Sequence, residues 1–188
     1  MGKDFILRRL HSLLGLIPLF VFVPVHMVQK AIPYFTLSLK PVAWLFVFMF
    51  GIIPFVLHAA LGLYIYAQNR ANPFRRKRGT LFRLQIISSF VILIFVITHK
   101  MALNLLWRGA GNSFFIATII LFMAGIAAVA FHMSYGMYTF CISWGVSVNK
   151  HVRMRIGQAS AVLGAIFCVT FMILYIFVFM SLKQLVGL

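Results

Sequence analysis

Four of the six histidines lie inside long apolar runs, where an imidazole ring is the strongest candidate for chemistry. His132 lies in a stretch of 41 residues between Arg108 and Lys150 that carries no formal charge. An ionisable ring there is costly in hydrocarbon unless something binds it, so it indicates a functional site. Gly136 follows by four residues, which places a position without a side chain beside the ring on one helix face. This pair predicts a site for a flat macrocycle bound through a ring nitrogen.

The His-x-x-x-Gly spacing occurs again at His58 and Gly62, so Gly62 and Gly136 are both predicted to lie against a bound macrocycle. Glycine is common in membrane helices, so helix packing alone also produces this spacing. His26 and His99 have no glycine four residues on. Small residues on related faces lie ten or eleven positions before these two histidines, at Gly15, Ser88 and Ser89.

The composition predicts an integral membrane protein. Hydrophobic residues make up 63% of the 188 residues, far above the roughly 45–50% of globular domains. A net charge of +16 would suit a nucleic-acid partner, but the basic residues lie in short gaps between apolar runs, as topology signals do. Cys141 and Cys168 lack metal or redox spacing and are interpreted as packing residues.

Apolar runs of about 20 residues or more predict an all-α fold, with five transmembrane helices in a bundle. The predicted spans are about 10–30, 42–67, 83–107, 113–148 and 156–182, within a single domain over residues 1–188. The 113–148 run is interpreted as one long helix because its middle offers no polar turn. Twelve basic residues on the side of the N-terminus against five on the other predict a cytoplasmic N-terminus.

Prolines interrupt two of the apolar runs, at Pro18, Pro24 and Pro54. Each lacks a backbone N–H and can kink a helix, which neighbouring helices in a membrane tolerate by satisfying the released carbonyl. Pro24 lies two residues before His26 and Pro54 lies four before His58. We therefore expect either a re-aimed histidine at each site or ordinary helix bending.

The topology predicts the depth of each histidine. His26 and His99 lie near the outer ends of the first and third helices, and His58 and His132 lie deeper in the second and fourth. Each pair draws on two helices at matched depth, as binding of one iron between two imidazoles requires. The pattern predicts two haems, with irons about 15 Å apart for layers about ten residues apart. Electrons can cross a membrane over such a separation.

Other interpretations of the histidines fit less well. Interhelical hydrogen bonding would explain any one of them alone, but it does not explain four at paired depths. No carboxylate or cysteine at that depth completes a zinc tetrahedron, and a proton relay would need intramembrane acids. His11 and His151, beside basic residues at the cytoplasmic edge, are interpreted as interfacial. They are candidates to contact a partner, a haem propionate or a quinone.

Three stretches resemble the cytochrome b membrane subunit of succinate dehydrogenase and menaquinol:fumarate reductase, in its five-helix, two-haem, single-subunit class. They are Arg8–Gly15, His58–Ile65 and Phe131–Val146, and the likeness extends over nearly the whole chain. The resemblance implies that His26 and His99 bind the distal haem b, and that His58 and His132 bind the proximal one. It also implies a respiratory role linked to the tricarboxylic acid cycle in a bacterial inner membrane.

The resemblance implies partners as well. A flavoprotein and an iron–sulfur subunit would dock on the cytoplasmic face, and electrons would pass between succinate chemistry there and menaquinone. Quinol-oxidising relatives carry a carboxylate in the second helix and another just before the fourth-helix histidine. This chain has neither, which favours the succinate dehydrogenase direction. Polar residues at the outer depth are candidates for quinone contact: Gln29, Lys30, Lys100 and Asn104.

Two alternatives stay open at this point. The chain could be the dihaem subunit of another membrane oxidoreductase, of the hydrogenase or formate dehydrogenase type. It could also be a small transporter or structural membrane protein without haem. In none of the redox interpretations does the chain itself perform succinate chemistry, because Asp4 is its only acid.

Overall fold

The computed structural model describes residues 3–26, 42, 45–71, 79–108, 111–146 and 149–186. Five α-helices carry most of them. Their bounds are Lys3–Ile17 (α1), Ile53–Ala71 (α2), Thr80–Trp107 (α3), Asn112–Ser143 (α4) and Lys150–Val186 (α5). Two π-helical segments, Pro18–Phe22 and Val47–Ile52, respectively continue α1 and precede α2.

Within the described residues, five helical stretches are long and apolar enough to cross a membrane. They are Phe5–His26, Val47–Gln68, Thr80–Leu106, Asn112–Ser143 and Lys150–Ser181. The described residues contain no β-strand. The predicted all-α fold with five spans is therefore confirmed, including the single helix in the longest charge-free run. The cytoplasmic N-terminus and the single domain stay predictions.

Each π-helical segment ends just before a proline. Val23 donates its N–H to the carbonyl of Pro18 and precedes Pro24, and Ile53 donates to the carbonyl of Phe48 and precedes Pro54. A proline lacks the N–H that would close an α-helical turn, and its ring clashes with the carbonyl four residues back. The wider π turn moves the hydrogen bonds one residue further along, which relieves both problems.

The last turn of α4 has a closely defined end. Val146 donates its N–H to the carbonyl of Cys141 at 2.9 Å, and Gly145 donates to Ile142 at 3.2 Å. Gly145 has a φ of 77°, which a glycine adopts without steric penalty. These two bonds form a Schellman motif. They end the helix at Ser143, ahead of the residue 148 expected from the sequence.

Contacts between residues divide the chain into two compact units. The first comprises Met1–Gly79 and Gly136–Ile156. In it α1 packs against α2, and the two π-helical segments pack against each other. His11 on α1 lies against Gly62 on α2, and Gly15, one turn later on α1, lies against His58, one turn earlier on α2. The two helices are therefore antiparallel.

The second unit comprises Thr80–Tyr135 and Gly157–Leu188 and is built on an aromatic core. Phe122 and Phe179 are fully buried and meet edge to face, with ring centres 5.2 Å apart. Edge-to-face contact suits the charge distribution of aromatic rings. Elsewhere in this unit α5 approaches α4 closely at Gly164, where a Cβ would lie 3.0 Å from the carbonyl oxygen of Ala130. A residue without a side chain permits this approach.

Candidate functional site

In the first unit, histidines and glycines of α1 and α2 pair reciprocally. The ring of His58 lies over Gly15, where a Cβ would be 2.6 Å from its Cε1 atom. The ring of His11 lies over Gly62, where a Cβ would be 3.0 Å from its Nε2 atom. Each glycine thus provides the space for a ring from the opposite helix. The gap at Gly62, predicted to adjoin a macrocycle, here holds the ring of His11.

The rings of His11 and His58 stack on one another. Their centroids are 4.0 Å apart and their planes differ by 21°. The Nδ1 atom of His58 lies 2.8 Å from the carbonyl oxygen of His11. A carbonyl only accepts hydrogen bonds, so Nδ1 of His58 carries the proton and donates it. The lone pair of the His58 ring is then on Nε2.

His26 is the last residue of the first apolar span, and its surroundings are aromatic. Its ring stacks on Phe22 with centroids 5.0 Å apart. Phe22 in turn packs over Gly51, where a Cβ would be 2.9 Å from the ring. The π-helical segments Pro18–Phe22 and Val47–Ile52 therefore contact each other beside His26.

In the second unit, α3 holds His132 at two points. The hydroxyl of Ser88 lies 3.2 Å from Nδ1 of His132, and Gln85 donates its Nε2 hydrogen to the carbonyl of His132 at 3.3 Å. Ser88 also donates to the carbonyl of Gln85 at 2.9 Å. Since a hydroxyl has one proton, both contacts are satisfied only when His132 donates from Nδ1 to the Ser88 oxygen. The lone pair of His132 is then on Nε2.

The side-chain amide of Gln85 is oriented by this contact. Its Oε1 atom is buried and accepts no hydrogen bond within the described part of the chain. Turning the amide over would set that oxygen against the carbonyl of His132, which also only accepts. The unsatisfied oxygen is thus the cost of holding the His132 backbone.

His99 is anchored within its own helix. Its Nδ1 atom lies 3.0 Å from the carbonyl oxygen of Phe95 and 2.9 Å from that of Val96. Both acceptors are carbonyls, so Nδ1 is again the protonated nitrogen. The ring also contacts Phe122 edge to face, with centroids 6.4 Å apart. It is therefore tied to the aromatic core of the second unit.

Three of the four histidines predicted to bind iron thus share one tautomer. His58, His99 and His132 each donate from Nδ1, which places the lone pair of each ring on Nε2. The hydrogen bond at one ring nitrogen decides which nitrogen can bind a metal. Among the described residues no group of three or more histidine, cysteine or acidic side chains is placed to hold a metal ion. Binding by two imidazoles needs no such group.

The remaining predicted site residues are Gln29, Lys30, Lys100, Asn104 and Gly136. Lys100 and Asn104 are exposed on α3, near the C-terminal end of that helix. Gln29 and Lys30 lie outside the described residues. The carbonyl of Gly136 accepts a hydrogen bond from Thr139 at 3.0 Å within α4. Their predicted roles beside a quinone or a macrocycle stay predictions.

Sequence reasoning gave His11 and Ser88 smaller roles than the structure does. His11 was expected at the interface, yet it is half-buried and packs on His58. The signal was present, since Gly15 follows His11 by four residues and makes a third His-x-x-x-Gly. Ser88 was related to His99 on its own helix, but it contacts His132 on another. No sequence spacing reveals that interhelical partner.

A cationic clamp in the first unit joins α1 to the end of α4. Arg9 directs Nε and Nη2 at the carbonyl of Ser143, both at 3.4 Å. Its guanidinium lies 4.2 Å from the ring centre of Phe5 and 4.8 Å from that of Trp144. The indole N–H of Trp144 donates to Ser12 at 3.3 Å. A cation is favoured at a helix C-terminus, where carbonyls lack partners in the helix.

Comparison with known proteins gives one informative match. No family model and no solved structure matches the chain. The chain is similar to the succinate dehydrogenase cytochrome b558 subunit of Bacillus subtilis, at 30% identity. The alignment covers 79% of this chain and 84% of that protein.

The chain belongs to the family of succinate dehydrogenase cytochrome b membrane subunits. This confirms the family predicted from Arg8–Gly15, His58–Ile65 and Phe131–Val146. It also selects this class over the hydrogenase and formate dehydrogenase alternative. With its five apolar helices, the chain is a multi-pass membrane anchor of the cytochrome b type.

Proposed function

We propose that this anchor carries electrons between the soluble subunits of a succinate dehydrogenase and menaquinone, through two bis-histidine haems b. His26 and His99 would hold the distal haem, and His58 and His132 the proximal one. The pairing is predicted from the depth of each histidine in the sequence. When bound, such a group supplies one-electron transfer.

The shared tautomer carries this proposal. Three histidines on three different helices hold their Nδ1 protons on acceptors and keep the lone pair on Nε2. A hydrogen bond at Nδ1 that leaves the lone pair on Nε2 is the arrangement in which a histidine binds a metal through Nε2. The relative from Bacillus subtilis is named a cytochrome b558 subunit, which supports a haem protein.

The residues around each ring fix its orientation. The carbonyl of His11 and the glycine at position 15 hold the ring of His58 between two helices. Ser88 on α3 orients the ring of His132 through its contact with Nδ1. Ligands held by their surroundings lose little freedom when they bind a cofactor.

The partners follow from the family and the charge pattern. A flavoprotein and an iron–sulfur subunit would perform the succinate chemistry, for which this chain has only one acid, Asp4. The twelve basic residues predicted on the cytoplasmic side would offer those subunits a cationic surface. The menaquinone site would lie near the distal haem, with Lys100 and Asn104 among its candidates. A bacterial cytoplasmic membrane fits the Bacillus relative.

Counting haems tests the proposal. The chain is expressed in membranes and purified, and haem is extracted and measured per chain, together with reduced-minus-oxidised spectra. We expect two haems in the natural chain and one in His58→Ala, since a bis-histidine site does not hold haem tightly with one ligand. His99→Ala should lose the other haem, which has its own spectral component.

His151→Ala is the matched control, because His151 is exposed and belongs to neither predicted pair. It should retain both haems. A natural chain that folds without absorbing in the haem region would contradict the proposal. Equal losses from His151→Ala and His58→Ala would contradict the ligand assignment. Co-purification with a flavin-containing subunit from native membranes tests the partner assignment separately.

A further inference from the structure

Ser88 is distinguished by what it contacts. It is buried, with 6% of its surface exposed, and its oxygen lies 3.2 Å from Nδ1 of His132. Its own proton is committed to the carbonyl of Gln85, three residues back on α3. The Ser88 oxygen therefore acts as an acceptor toward the histidine, and its position is fixed by its own hydrogen bond.

The other two described contacts of this kind use the backbone. Nδ1 of His58 donates to the carbonyl of His11, and Nδ1 of His99 donates to carbonyls of its own helix. A hydroxyl oxygen already donating to a carbonyl is a moderate acceptor. The strength of this acceptor affects the electron density on the ring of His132. Because the acceptor is a side chain, a substitution can remove it.

We propose that Ser88 is a positioning residue that sets the reduction potential of the haem bound by His132. The inference rests on the proposed function. An acceptor at Nδ1 gives the imidazole more anionic character, and a more electron-rich ligand favours ferric over ferrous iron. Hydrogen bonds around an axial ligand are among the means by which a protein tunes a haem. Ser88 lowers the potential in this way and also fixes the plane of the ring.

The test uses two substitutions of equal shape. Ser88→Thr keeps a hydroxyl and Ser88→Val replaces it with a methyl group, so both add the same bulk at a buried position. We expect Ser88→Val to shift the ferric-to-ferrous equilibrium about threefold to tenfold towards ferrous iron. This is a rise of about 30–60 mV, at 59 mV per tenfold change for one electron. Ser88→Thr should stay near the natural value.

Ser89→Ala provides the matched control one residue away. Ser89 is exposed and donates to the carbonyl of Ile86 at 2.7 Å, so it has the same local bond without a histidine. Its substitution should leave both potentials unchanged. The haem in question is identified as the spectral component that His132→Ala abolishes. Potentials come from redox titration of the purified protein, and the EPR spectrum of the ferric haem reports the ring orientation.

The outcomes separate this inference from the proposed function. A rise in Ser88→Val alone supports it. Equal shifts of the potential in the Thr and Val variants would mean that the added bulk changes the potential. No shift in either variant would mean that the hydroxyl does not set the potential. Each of these two results would overturn the inference. If either variant fails to fold, Ser88→Ala, which adds no bulk, is compared with Ser89→Ala by the same titration. In all these cases two haems per chain leave the proposed function standing, whereas a chain without haem removes both.

Discussion

His58 and His132 are the predicted ligands of one iron, yet their surroundings differ in kind. His58 is held by main-chain features of α1, namely the carbonyl of His11 and the missing side chain at Gly15. His132 is held by two side chains of α3, from Ser88 and Gln85. One ring is positioned by how two helices pack, and the other by specific hydrogen bonds.

The difference decides which substitutions can act on each histidine. No point substitution removes the carbonyl of His11, so the His58 side is disturbed through packing. On the His132 side, single side chains can be removed while the helices keep their positions. We therefore expect large, all-or-none effects from substitutions that disturb the packing around His58, and small, graded effects from those at the side chains around His132.

The largest effect is expected from Gly15→Ala. The new Cβ would lie 2.6 Å from Cε1 and 2.8 Å from Nδ1 of His58, so the ring must move off the His11 carbonyl. Overpacking of this kind costs about 1–3 kcal/mol. We expect loss of one of the two haems and a lower midpoint of thermal unfolding in detergent, measured by haem extraction and circular dichroism.

Gly111→Ala is the control for this change, because a Cβ at Gly111 meets nothing within 4 Å. It should keep both haems and the natural midpoint. Should Gly15→Ala keep both haems as well, packing against Gly15 is not what positions His58.

An intermediate effect is expected from Arg9→Met. Arg9 fastens α1 to the end of α4 through two contacts with the Ser143 carbonyl and through the rings of Phe5 and Trp144. Losing a charged donor and its ring contacts costs about 1–2 kcal/mol at a half-buried position. The thermal midpoint should fall, while the haem content at low temperature stays at the natural level.

Arg9→Lys sharpens this prediction. It keeps the charge but lacks the planar guanidinium that lies over two rings, so its midpoint should fall between those of the natural chain and Arg9→Met. If the lysine variant matches the natural chain, charge at the helix end is sufficient and the ring contacts add nothing.

The smallest effect is expected from Gln85→Leu in the second unit. It removes one interhelical hydrogen bond, worth about 0.6 kcal/mol in membrane proteins, and it also removes the buried unsatisfied Oε1 atom. The midpoint should therefore change little. Gln68→Leu is the matched control, since Gln68 is exposed and bonds to Tyr64 on its own helix. A loss from Gln85→Leu as large as that from Gly15→Ala would remove the contrast between the two histidines.

The spans and the histidines were predictable because lipid imposes simple rules. A chain in hydrocarbon must satisfy its backbone internally, so charge-free runs become helices, and the described residues contain five long apolar ones. Polar rings in such runs stand out by residue type alone. The family followed from short stretches around Arg9, His58 and His132, and it is confirmed.

The contacts of the site were not predictable, because they depend on register between helices. His11 meets Gly62 and His58 meets Gly15 only when α1 and α2 align at one particular offset. The sequence of an apolar helix does little to set such an offset, because lipid tails and the interior of the bundle are equally apolar and the same residues suit both. Ser88 illustrates this, because its spacing from His99 suggested one partner while the fold supplies another.

The π-helical segment Pro18–Phe22 has a consequence for how this span is interpreted. Each α-helical residue advances the chain by about 100°, and a π turn takes up one extra residue. Positions on either side of the segment are therefore out of phase by about that angle. A helical wheel drawn straight through the span puts Gly15 and His26 on related faces, but the π turn rotates His26 relative to Gly15 by that extra angle. Deleting one residue from the segment would restore the regular winding and rotate His26 to a different azimuth.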